Sequence, residues 1–156
     1  MKTTLLKLTV SLLLIMGIQK VNAQEGIQWL TSYDSATNLA KKENKPILLF
    51  FHGSDWCPPC IRMQREVFGN DTFVNYSTSR LIFLDVDFPR KKKISEEQLK
   101  HNQELKKKFG LPEEFTQGYP QVVIIDSHGK VLYQEKGYSG EGNGKLIGII
   151  ETVKLK

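Results

Sequence analysis

Cys57 and Cys60 are the only cysteines in the 156-residue chain, and two residues separate them. Thiols at that spacing can close a disulfide with each other and exchange it with another disulfide. They can also supply two of the four ligands of a zinc ion, or bind a softer ion such as Cu(I). A zinc site needs two further ligands. The chain's histidines are His52, His101 and His128, and none stands at zinc-finger spacing from the cysteines. Copper capture would favour a Met/His cluster, which the sequence lacks. The pair therefore reads as redox chemistry, with no metal and no cofactor expected. A disulfide across so short a loop constrains the unfolded chain little, so its use is chemical rather than structural.

The flanking residues decide what that chemistry can be. Upstream, Pro46 opens an apolar run, Ile47–His52, of the kind that forms a strand buried on both faces. Downstream, Ile61–Phe68 has a helical pattern. Cys57 then sits where a buried strand turns into a helix, with Cys60 one turn further in. A helix N-terminus offers unpaired backbone N–H groups and the positive end of the dipole. Both favour thiolate, the form that attacks disulfides. Pro59 suits an early helical position, where its missing N–H is not needed.

Trp56-Cys57-Pro58-Pro59-Cys60 after a buried strand, with Gly118-Tyr119-Pro120 further on, resembles the thioredoxin superfamily. The lead-in Ala40-Lys-Lys-Glu-Asn44-Lys45-Pro46 is similar to the exported branch of thioredoxin-like proteins, related to the C-terminal domain of the transmembrane disulfide reductases. The likeness spans roughly residues 27–153. It implies an α/β three-layer sandwich, a central mixed sheet flanked by helices. It also implies a thiol–disulfide oxidoreductase that acts on protein disulfides as a reductant or exchange protein. In that reading Cys57 is the nucleophile and Cys60 resolves the mixed disulfide. Trp56 and Pro59 support the thiols, Tyr119 touches substrate, and Pro120 is a cis-proline facing the disulfide. A membrane-embedded thiol reductase would supply electrons. Two other readings stay open: a copper-handling module, and a binding domain that uses the groove near Tyr119 without turnover.

Two positions depart from the family pattern. Many thioredoxins bury an Asp in the strand before the motif and a Lys on the next strand. Counting along this chain puts Phe51 and Phe83 at those positions. The joint loss avoids burying one charge without its partner. It also removes the usual base for Cys60, leaving Asp55 and Glu66 as the nearest acids in sequence.

Residues 1–23 carry a basic start, an apolar run from Leu8 to Ile18, and small residues at Val21-Asn22-Ala23. That is the layout of a secretory signal peptide, and the apolar run is short of the ~20 residues of a spanning helix. The expected product is one thioredoxin-like domain, residues 24–156, periplasmic or secreted and monomeric. Lys2, Lys7 and Lys20 leave with the peptide, which takes the formal charge from +5 to +2. The remaining basic runs, Arg90–Lys93 and Lys106–Lys108, lack the interleaved recognition residues of a nucleic-acid interface. They read as a solvated loop and a helix end. The other expected elements are a first strand in 27–30 and a helix in 32–44. A turn of helix follows in 71–76 and a strand in 81–87. Next come a helix from Ser95 to Phe109 with Leu99, Leu105 and Phe109 inward, a hairpin 121–135, and a closing helix from Lys145.

Overall fold

The computed structural model describes residues 26–112 and 118–154. The expected signal peptide and its cleavage site lie outside them. Five strands form one sheet: β1 (Trp29–Leu30), β2 (Ile47–His52), β3 (Ile82–Asp87), β4 (Gln121–Ile125) and β5 (Val131–Lys136). Their order is β1-β3-β2-β4-β5. The β1–β3 and β3–β2 pairs are parallel, and the β2–β4 and β4–β5 pairs antiparallel. The central strand β2 is buried at every residue, as its unbroken apolar run predicts.

The helices are α1 (Tyr33–Glu43), α2 (Pro58–Met63), α3 (Asp71–Ser77), α4 (Glu96–Lys108) and α5 (Asn143–Lys154). Ser32 caps α1 by accepting from the Ser35 N–H, and Asn44 ends it in the left-handed region at φ 51°. Ala36 and Ala40, one turn apart, are fully buried, and their small side chains let α1 lie close to the sheet. Ser95 caps α4 by accepting from the Gln98 N–H. The Gln98 side chain turns instead to Thr31 O and Asn102 Oδ1, so only half of the capping box forms.

The β2–β3 register pairs Phe51 with Val86 and Leu48 with Phe83. Alternation along a strand then sends Phe51 and Phe83 to opposite faces of the sheet. The Phe83 ring meets Phe73 of α3 at 6.4 Å, and Phe51 meets Phe109, just past α4, at 6.3 Å. Helices therefore cover both faces, which makes the expected three-layer sandwich. The same register corrects the idea that Phe51 and Phe83 replace a facing ion pair: each fills a separate half of the core.

One further detail differs from expectation. Leu99 was expected inward but is 38 % exposed. The buried stripe of α4 runs through Asn102, Leu105 and Lys106 to Phe109, and Leu99 lies off that face. The active-site helix begins at Pro58, directly after Cys57, as the early helical position of Pro59 predicts. It continues through Gln64–Phe68 as a π-helical turn, in which the Gly69 N–H reaches Gln64 O at 2.7 Å.

Candidate active site

Cys57 is the N-cap of α2, with extended backbone, and its carbonyl accepts from the Ile61 N–H at 3.0 Å. Cys60 lies in the first turn of that helix. Their sulfurs are bonded, with Cα atoms 5.2 Å apart. Both residues are buried, Cys57 at 3 % and Cys60 at 0 % exposure. The prolines between them limit the N–H supply expected of a helix N-terminus. Pro58 and Pro59 carry none, so the first amide past Cys57 is that of Cys60. The two prolines thus reduce the stabilisation that a helix N-terminus gives a Cys57 thiolate.

The loop from Gly53 to Trp56 is tied down residue by residue to the end of β3 and the segment after it. The Gly53 carbonyl accepts from the Cys57 N–H at 3.2 Å. A side chain at Gly53 has no room, because a Cβ there would overlap the Trp56 indole. Ser54 donates its N–H and its hydroxyl to the two oxygens of Asp87, at 2.9 and 2.6 Å. Asp55 accepts the backbone N–H groups of Arg90, Lys91 and Lys92 at 2.9, 2.7 and 2.8 Å. The N–H of Arg90 is foremost in holding the Asp55 carboxyl below its ordinary value, with Lys92 and Lys91 contributing. Trp56 donates Nε1–H to Phe88 O at 2.6 Å, and the Arg90 guanidinium lies 4.1 Å from its ring.

Tyr119 packs near Trp56, with ring centroids 6.4 Å apart, and also meets Phe88 edge-on. The Tyr119–Pro120 bond is cis, the isomer the resemblance implies. Tyr119 and Pro120 are both buried. The structure thus gathers Trp56, Tyr119 and the Cys57–Cys60 loop around the end of β2.

Neither acid considered as a base for Cys60 is available for it. Asp55 is spent on the loop amides. Glu66 accepts from Arg62 Nε, Arg65 and the Tyr138 hydroxyl, and Arg62 is foremost in holding its carboxyl below the usual range.

The sequence reading missed a buried polar cluster beneath the loop. His52, considered there only as a metal ligand, is 1 % exposed. Its Nε2 lies 2.5 Å from Asp85 Oδ1, its Nδ1 lies 3.9 Å from Asp87 Oδ1, and its ring stacks on Phe50 at 4.3 Å. The signal was present as a polar residue ending an apolar strand, opposite an Asp-Val-Asp sequence. Linking the two required the strand register.

A thioredoxin-like domain model matches residues 33–151. The chain is 37 % identical over 134 residues to the disulfide bond reductase DsbH of Chlamydia pneumoniae, covering 86 % of this chain and 77 % of that protein. It is 25 % identical over 146 residues to the thioredoxin-related protein DsbJ of the same organism, covering 90 % of this chain but 40 % of that one. A solved structure of a DsbH oxidoreductase superposes with a TM-score of 0.75 at 34 % identity, over 90 % of this chain and 94 % of the other.

Proposed function

The chain belongs to the thioredoxin-like family, and from that premise we propose that it is an exported thiol–disulfide oxidoreductase that reduces or exchanges protein disulfides through Cys57 and Cys60. The observation that carries this reading is the Cys57–Cys60 bond at the start of α2, in a chain similar to a disulfide bond reductase. In the reduced protein the Cys57 thiolate attacks one sulfur of a substrate disulfide and expels the other as thiolate. The Cys60 thiolate then attacks Cys57, forms the Cys57–Cys60 bond and releases the second substrate thiolate. Two electrons pass from the pair to the substrate, and solvent supplies the protons that the released thiolates take up. Trp56, Pro59, Tyr119 and Pro120 frame the attacking sulfur. The burial of Cys60 favours a slow second step, since a buried thiol resists ionisation.

Working as a reductant outside the cytosol, the protein draws electrons from a membrane-embedded thiol reductase and works as a monomer. Export through cleavage after Ala23 leaves Gln24 as the mature N-terminus, which mass spectrometry of the envelope fraction would read. The function itself is tested by equilibrating the protein in glutathione buffers and titrating the Cys57–Cys60 bond. A pair more reducing than glutathione supports a reductant, and one more oxidising reverses the direction. A pair that does not cycle removes the reading.

A further inference from the structure

Arg90, Lys91, Lys92 and Lys93 form a run of like charges, and all four side chains are exposed. Self-repulsion favours an extended, loosely held segment for such a run. Here its backbone is fixed, and by the redox loop itself. Asp55, two residues before Cys57, accepts the N–H groups of Arg90, Lys91 and Lys92. The Arg90 guanidinium covers Trp56, the residue next to Cys57. The Trp56 indole in turn donates to Phe88, at the start of the same segment.

The charges on this loop differ from the neighbouring ones. Arg62 of α2 and Arg65 of the π-helical turn after it both pair with Glu66. Among the described residues, no carboxylate forms an ion pair with the side chains of Arg90, Lys91, Lys92 or Lys93. Asp55 is engaged by the loop's amides. Glu96 and Glu97 lie in the first turn of α4, where the helix dipole favours them. The result is positive charge whose backbone is tied to the loop that carries Cys57 and whose side chains form no ion pair among the described residues.

We propose that the Arg90–Lys93 loop selects protein disulfides flanked by aspartate or glutamate, by drawing the acidic segment alongside Trp56 as Cys57 meets the bond. This deepens the proposed oxidoreductase reading and rests on it. A fixed platform loses less freedom on binding than a mobile tail. Opposite charges at the encounter raise the association rate, roughly 10-fold or more at low salt. The gain is screened within about 8 Å at physiological ionic strength, so it acts on residues next to the target disulfide. A nucleic-acid partner is less favoured, because the patch is one short loop joined to a redox site rather than an extended basic groove.

The test uses the reduced mature chain and three oxidants: a disulfide peptide flanked by Glu, the same peptide flanked by Lys, and uncharged hydroxyethyl disulfide. Rates are measured at low and high salt. The Glu peptide should react about tenfold or more faster than the Lys peptide at low salt, with the ratio falling towards one at high salt. The triple variant Lys91→Ser, Lys92→Ser, Lys93→Ser keeps every amide that Asp55 holds. It should lose most of that preference while reacting with hydroxyethyl disulfide at the wild-type rate. Equal rates for the two peptides, or an unchanged preference in the variant, would overturn the proposal. An oligonucleotide that inhibits all three reactions equally, without any peptide preference, would also overturn it in favour of a nucleic-acid partner. Loss of reactivity towards hydroxyethyl disulfide in the wild type would instead count against the oxidoreductase reading itself.

Discussion

Asp87 holds Ser54 with both carboxylate oxygens, one on the N–H at 2.9 Å and one on the hydroxyl at 2.6 Å. This joins the end of β3 to the loop that carries Trp56 and Cys57. Ser54→Ala removes the hydroxyl arm and leaves the amide arm. A hydrogen bond to a charged group contributes about 1.5–3 kcal/mol, so the oxidised protein should lose stability in that range. Urea unfolding of the oxidised variant and wild type, with unchanged m, measures it.

Gly53 is fixed by the indole lying against its backbone. Gly53→Ala forces Trp56 away from Phe88 O and from under Arg90. Overpacking of this kind costs about 1–3 kcal/mol. Near-ultraviolet circular dichroism should show an altered tryptophan environment together with the lost stability. An unchanged spectrum would mean that the indole does not sit where the structure has it.

Asp55 gives the Arg90–Lys93 loop a pH dependence of definite sign. Backbone N–H groups, Arg90 foremost, hold its carboxyl below the ordinary value of 3.8. A lowered carboxyl pKa contributes order that is fully present above the unfolded value and is lost as pH falls through the folded one. The loop should therefore stay pinned from neutral pH down to about 4 and release only below 3.8. Trp56 fluorescence in a Trp29→Phe background reports it, since Arg90 lies on that ring. Asp55→Asn should lack the acid transition. A transition shared by both proteins between pH 7 and 5 would contradict this assignment.

Pro59 occupies the second helical position, where an amide would point at an N-cap side chain. Pro59→Ala restores that N–H. A hydrogen bond from it to the Cys57 thiolate would be worth about 1.5–3 kcal/mol. The thiolate should then form at lower pH in the variant, read by ultraviolet thiolate absorbance of the reduced protein. Formation at the same or higher pH would mean that the amide does not reach the sulfur.

The parts of this molecule encoded by local pattern were legible before the structure. The unbroken apolar run Ile47–His52 marked the central strand to the residue. Ser95 marked one helix start through its capping oxygen, and Ser32 and Asp34 both offered caps for another, of which the structure uses Ser32. The Cys-Pro-Pro-Cys sequence marked the redox pair. What could not be read depends on contacts between distant segments. Asp55 looked like a possible base for Cys60, and only the path of the chain after β3 turns it into an anchor for the amides of residues 90–92. Phe51 and Phe83 looked like one paired substitution, and only the register sends them to opposite faces. Leu99 looked inward because leucines usually are, but on α4 the inward stripe includes the polar Asn102, whose amide donates to Asp87 O at 2.7 Å.

The assignment of Cys57 as nucleophile and Cys60 as resolving thiol is tested most directly by trapping. Reduced Cys60→Ser and Cys57→Ser variants are each mixed with a protein disulfide, and the products are mapped by mass spectrometry. Cys60→Ser should accumulate a mixed disulfide through Cys57, and Cys57→Ser should accumulate none. A stable adduct through Cys60 in the Cys57→Ser protein, with none through Cys57 in the other, would contradict the assignment.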